Sequence, residues 1–239
     1  MEDAQAHLSK MEAHPKPLDR PLVILNGYLD PGIGGAFVAS IIRRHIKDDR
    51  IITVAYPFAA DFDQCRRKVL DEVQRAWPSE DPNETREIDV VGLSMGGLVG
   101  RYCGVQIPKH RRLKIKRLFT ISSPHQGAVR AAALPRLLKL QIDMRPNSDF
   151  LQHLERTEEG DLAYELLAYV RLEDDVVGPQ YAAPHGRTAW WVPNQPLQRA
   201  HIAAATDERI LADVLRRLRA EKPFTKFPPA PLPQAAITE

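Results

Sequence analysis

Short apolar and β-branched runs alternate with amphipathic stretches along most of this 239-residue chain, and that alternation limits its fold more than any other feature. Residues 21–26 read PLVILN and stop at Gly27, the pattern of a buried strand. Residues 36–46 then place Phe37, Ile41, Ile42 and Ile46 at helical spacing. A β-branched run at 51–56 ends at Pro57, and residues 61–77 carry Phe62, Cys65, Val69, Val73 and Trp77 on one stripe. The same rhythm predicts a strand at 87–93, a helix at 95–104 and strands at 115–122, 165–172 and 188–192. A last helix opens at Thr206, read as its N-cap, with Asp207 and Glu208 behind it. Strands that alternate with helices need crossover connections. The expected fold is therefore α/β: a mostly parallel sheet of about six strands flanked by helices on both faces.

Two stretches break the rhythm. Residues 123–163 are longer than a simple crossover requires, and about 128–163 read as a small helical cap inserted into the body. That insertion combines Ala131, Leu134, Leu137, Leu138 and Leu140 with Pro135 and Pro146. Residues 222–239 are proline-rich and predict an extended or disordered tail. Residues 1–17 read as a weakly ordered segment, which leaves 18–221 as one domain.

Composition narrows the function classes. With 44% hydrophobic and 27% charged residues the chain has the make-up of an ordinary globular protein, and a net charge of +2 argues against a nucleic-acid partner. Residues 109–117 are strongly basic but read as a solvated loop and strand edge. The two cysteines, Cys65 and Cys103, have no metal or redox spacing, so neither a metal nor an organic cofactor is expected. The N-terminus has no apolar run of the kind a secretory leader needs, and no stretch is long and apolar enough to span a bilayer. A cytoplasmic location is the expectation.

The chemistry is concentrated at Gly92-Leu93-Ser94-Met95-Gly96. G-x-S-x-G at a strand-to-helix junction is the signature of a nucleophile elbow, in which a sharp turn presents the serine hydroxyl above the sheet. Side chains at Gly92 and Gly96 would collide across such a turn. The N–H of Met95, at the positive end of the following helix, can donate to an oxyanion. A second donor is expected from the loop after the first strand, where the N–H of Tyr28 follows Asn26-Gly27. A serine nucleophile needs a base, and the chain order for this motif is Ser, then Asp or Glu, then His. The acids after the 165–172 strand are Glu173, Asp174 and Asp175, and His201 follows the last strand. His185 precedes that strand and does not fit the order. His125 is read as either a substrate contact or a packing residue.

These residues resemble the α/β-hydrolase superfamily, and within it bacterial lipases and esterases, from about residue 21 to 219. G-L-S-M-G-G-L-V-G-R-Y is similar to the elbow of bacterial lipases, and Ser122-Ser123-Pro124-His125-Gln126-Gly127 to a T-P-H-x-G string of related acyl-hydrolases. Asp174-Asp175-Val176-Val177 resembles the family's D-x-V-V turn, which implies Asp174 as the acid. Asn26 stands where many members have histidine, and Leu93 where histidine is commoner. The resemblance implies a Ser94–His201–Asp174 triad acting on a small-molecule ester or lipid. The same triad serves thioesterases, amidases and acyltransferases, and a silent hydrolase-like binding protein is a further alternative. Asn26, His125, Leu137 and Leu138 are candidate substrate-binding residues.

Overall fold

In the computed structural model of the protein, which describes residues 4–130, 138–157 and 162–234, six parallel strands form one sheet in the order β2-β1-β3-β4-β5-β6. The strands are β1 (Leu22–Leu25), β2 (Ile51–Val54), β3 (Ile88–Leu93), β4 (Ile115–Ile121), β5 (Glu165–Arg171) and β6 (Trp190–Val192). Before, between and after them run the described helices α1 (Ala4–Ala13), α2 (Ile33–His45), α3 (Phe62–Ala76), α4 (Met95–Gly104), α5 (Lys139–Asp143), α6 (Asp149–Thr157), α7 (Ala200–Ala204) and α8 (Glu208–Leu218).

Both faces of the sheet are covered, so the strands read as continuous apolar runs, with successive side chains sent to opposite layers. Val23 and Leu25 join a core with Phe62, Cys65, Val69 and Val73 of α3 and with Met95, Leu98 and Val99 of α4. Leu22 and Ile24 join the opposite core with Val38 and Ile42 of α2 and with Ile210, Val214 and Leu215 of α8. Phe62, Cys65, Val69 and Val73 of the predicted stripe are buried in α3, while Trp77 is half-buried just past its end, and Asp61 caps that helix by accepting the Gln64 N–H at 2.8 Å.

Three boundaries differ from the sequence reading. α2 starts at Ile33 rather than 36, because the Asp30 carboxylate accepts the N–H groups of Gly32, Ile33 and Gly34 and stabilises a glycine-rich first turn. α8 is capped by Asp207, not Thr206; the Asp207 side chain accepts the Arg209 N–H at 3.0 Å. Residues read as a weakly ordered N-terminal segment form α1, which buries Leu8 and Met11 against the α2–α8 layer. The Arg219 guanidinium holds α1 there by donating to the carbonyls of Met11, His14 and His45 at 3.2, 2.9 and 2.7 Å.

The proline-rich tail forms no strand among its described residues but follows the edge strand β6. The indole N–H of Trp190 donates to the Lys226 carbonyl at 2.9 Å, and that of Trp191 to the Ala230 carbonyl at 3.0 Å. The cations of the basic run are largely engaged: Arg112 and Lys114 pair with Glu84, and Arg117 with Asp89. No helix among the described residues is long and apolar enough to cross a membrane.

Candidate active site

All six residues of β3 are buried, and the strand delivers Ser94 to the C-terminal edge of the sheet. Ser94 has φ 51° and ψ −122°, a left-handed turn, and its N–H donates to the Ile121 carbonyl at 2.9 Å. The two flanking glycines are steric requirements. A Cβ at Gly92 would stand 2.5 Å from the Gly97 backbone, and one at Gly96 would run into the Leu25 carbonyl. Left-handed backbone recurs around the site at Leu29 after β1, Ser122 after β4 and Glu173 after β5. Such strain persists only where surrounding packing fixes it.

The three residues expected to work together meet here. His201 comes from α7, a five-residue helix where the sequence suggested only loop. Its Nε2 lies 3.0 Å from Ser94 Oγ, and its Nδ1 lies 3.0 and 2.9 Å from the two Asp174 carboxylate oxygens. With Nδ1–H donating to a carboxylate, Nε2 is left as an acceptor for the Ser94 hydroxyl. The N–H groups of Val176 and Val177 each donate to Asp174 Oδ1 at 3.1 Å. Burial alone would raise the Asp174 carboxyl, but the hydrogen bond and charge of His201, with the Val177 N–H, hold it below the usual carboxylate range. Asp175 points elsewhere, paired with Arg130.

The loop after β1 lies against the serine: a Cβ at Gly27 would stand 3.5 Å from Ser94 Cβ. Among the described residues, neither the Tyr28 N–H nor the Met95 N–H donates to a backbone acceptor in the turns that carry them. Asn26, expected as a possible substrate contact, is fully buried. Its Nδ2 donates to the Val54 carbonyl at 2.9 Å, and its Oδ1 accepts the Gly35 N–H at 2.7 Å. The Tyr56 hydroxyl donates to the Asn26 carbonyl at 2.6 Å. Asn26 thus clamps the Tyr28 loop between β2 and α2.

His125 is likewise turned inward. Arg101 can only donate, so His125 Nδ1 accepts from it at 3.2 Å and Nε2–H donates to Thr120 Oγ1 at 2.9 Å. Burial, with the Arg101 charge, drives its pKa well below the ordinary histidine value and keeps it neutral. Arg101 also reaches Glu155 at 3.2 Å, which joins the elbow helix α4 to the cap helix α6. Sequence reasoning named Arg101 only as part of a string; a buried arginine so close to the nucleophile was the available signal. Of the two cap leucines, Leu138 is 51% exposed at the start of α5, whereas Leu137 lies outside the described residues.

A family model described as PGAP1-like alpha/beta domain matches residues 59–155, a span that includes Ser94 and His125 but neither Asp174 nor His201. No curated protein is significantly similar in sequence. Among solved structures, a lipase of Bacillus licheniformis in its mature form superposes with TM-score 0.57 at 14% identity, over 80% of this chain and 89% of that one. Phospholipase PlaB from Legionella pneumophila superposes with TM-score 0.59 at 11% identity, over 86% of this chain and 59% of that one. Lipase B of Aspergillus fumigatus gives TM-score 0.59 at 14% identity, over 85% of this chain and 53% of that one. The chain therefore spans little more than half of the latter two proteins. At these identities the likeness is one of fold: the chain has the α/β-hydrolase fold.

Proposed function

We propose that the chain hydrolyses carboxylic esters through an acyl-enzyme on Ser94. The observation that carries this reading is the relay from Ser94 Oγ to His201 Nε2 and from Nδ1 to Asp174, at 3.0 and 2.9 Å, at the C-terminal edge of the sheet. In the first half-reaction His201 Nε2 takes the Ser94 proton as Oγ attacks the carbonyl carbon. Asp174 keeps the imidazole oriented and stabilises its cation. The N–H groups of Met95 and Tyr28 hold the tetrahedral oxyanion, each worth about 3–4 kcal/mol where such donors have been removed. Collapse expels the alcohol, which leaves with the proton from Nε2. Water then attacks the acyl-enzyme, gives its proton to His201, and the carboxylic acid departs as Ser94 is restored.

A panel of p-nitrophenyl esters of increasing chain length tests the reaction, with an acyl thioester and an anilide as competing substrates. Turnover of the esters that disappears in Ser94→Ala supports the reading; preference for the thioester or anilide redirects it. The cap leucines are proposed to form an acyl wall. The exposure of Leu138 supports this, and Leu138→Asp is expected to lower kcat/KM for long acyl esters more than for acetate. A chain-length profile identical to the parent protein would remove Leu138 from that role.

A further inference from the structure

The helix that carries His201 borders a second cavity. On α7, His201 turns to Ser94, while Ala203, about 200° further round the helix, lines a cleft of about 450 Å³. None of Ser94, Asp174 and His201 lines that cleft. Its walls are α1, the end of β5, the segment between β6 and α7, and the start of α8. The volume lies within the range of small-molecule sites, roughly 300–1,000 Å³. Gln5, Gln195, Gln198 and Thr206 bring amides and a hydroxyl to it, so it suits a polar occupant.

Arg171, the last residue of β5, lines the cleft although it is only 1% exposed. A buried guanidinium ordinarily spends its five N–H donors on acceptors. Here Nη1 donates to Gln198 Oε1 at 2.6 Å, but Nε and Nη2 have no hydrogen-bond acceptor among the described residues. The buried carboxylate nearby is already taken. Asp207 accepts Nε and Nη2 of Arg209 at 2.8 and 2.6 Å and the Arg209 backbone N–H at 3.0 Å, while Arg171 Nε stands 3.2 Å from its Oδ2. Two guanidiniums thus share one buried carboxylate. Burial pulls the Arg171 pKa down and the Asp207 charge only partly offsets it, as befits a cation short of counter-charge. The neutral amide oxygen of Gln198, an exposed side chain, occupies the place an oxyanion would take.

We infer that this cleft binds a small polar monocarboxylate, whose two oxygens displace Gln198 Oε1 from Nη1 of Arg171 and satisfy Nη2 beside it. Carboxylate and guanidinium match as a two-bonded fork. Asp207 and the exposed Glu208 also line the cleft, so a second negative charge on the ligand would be repelled. The site is independent of the ester-hydrolase reading, and its test needs no turnover. Calorimetric titration of the full chain at constant ionic strength uses gluconate as the probe, with sorbitol as its uncharged counterpart and inorganic phosphate at pH 8 as a dianion. Gluconate is expected to bind saturably, sorbitol not at all, and phosphate more weakly than gluconate. Arg171→Lys keeps the charge but loses the fork, and should weaken gluconate by about tenfold or more. Gln198→Glu places a carboxylate on Arg171 from within the chain. It should raise the melting temperature by about 2–4 °C and weaken gluconate by about tenfold or more. Gln106→Glu, another exposed glutamine but away from the cleft, should change neither. Absent gluconate binding, phosphate binding as tightly as gluconate, or a Gln198→Glu chain that melts and binds like the parent would overturn the inference. Binding that emerges only in Glu2→Gln/Asp3→Asn would also overturn it, by assigning Arg171 to the acids that precede Ala4 in this chain.

Discussion

Asn26 shows how a buried side chain can hold a loop beside the candidate nucleophile. Its amide spans the Val54 carbonyl and the Gly35 N–H, and the loop that presents the Tyr28 N–H hangs from it. Asn26→Ala leaves the buried Gly35 N–H without that partner, while the Val54 carbonyl keeps the backbone N–H of residue 26 at 3.1 Å, a loss of roughly 1–3 kcal/mol. The same variant should lower kcat more than it raises KM, because a displaced donor weakens the transition state selectively. Denaturant unfolding and steady-state kinetics on one ester check both halves. The meeting of Ser94 with His201 was legible from a motif and from chain order, whereas Tyr28 and Met95 stand as proposed donors. Asp174 was set apart from Glu173 and Asp175 only by the resemblance of Asp174-Asp175-Val176-Val177 to a D-x-V-V turn, because three adjacent carboxylates otherwise differ only in where the turn aims them. The left-handed Glu173, with φ 66°, aims the turn so that Asp174 meets His201 and Asp175 meets Arg130. Asn26 and His125 were read as possible substrate contacts because polar residues beside a nucleophile look alike in sequence. Burial tells them apart.

At the scale of elements, strands were legible almost to their ends, since six buried runs stand out against polar connections. α1 was not, because only Leu8 and Met11 of its ten residues are buried, too few large apolar positions to mark a helix in the sequence. The tail was legible as irregular, but its attachment was not. Asp213 of α8 accepts the N–H groups of Phe224 and Thr225 at 2.6 and 2.9 Å, the Tyr169 hydroxyl at 2.7 Å and Arg217 Nε at 3.0 Å. These bonds come from β5, from α8 itself and from residues 224–225, a convergence that sequence separation hides. Asp213→Ala removes one partner from a buried charged network, and an urea titration should show a loss of about 3–5 kcal/mol. The tail should also become sensitive to protease ahead of the body. An unchanged midpoint would mean that the tail is held by its ring contacts alone.

The whole molecule carries a stability signature in pH. His125 is buried neutral, with its pKa far below the ordinary 6.5, so below that value the unfolded chain binds a proton that the native chain does not. Stability should therefore begin to fall as pH drops below about 6.5. The carboxylates of Glu84, Glu87, Asp174 and Asp213 lie below their ordinary values of 4.5 or 3.8, so their contribution is present above those values. It is lost as pH falls through the lower native values, which adds a steeper acid limb. Thermal melts from pH 8 to 3 should show both limbs, and His125→Gln should flatten the first and spare the second. A melting temperature that is flat between pH 7 and 5 in the parent chain would contradict the burial assigned to His125.

The most direct test of the central claim is labelling by a serine-directed fluorophosphonate, read by peptide mass spectrometry. One adduct per chain is expected, on Ser94. Labelling should slow by about 10⁴-fold in His201→Ala, with Ser94→Ala/His201→Ala no worse in kcat than either single variant, because the residues act as a unit. An adduct on any other serine, or undiminished labelling of Ser94 in His201→Ala, would contradict it.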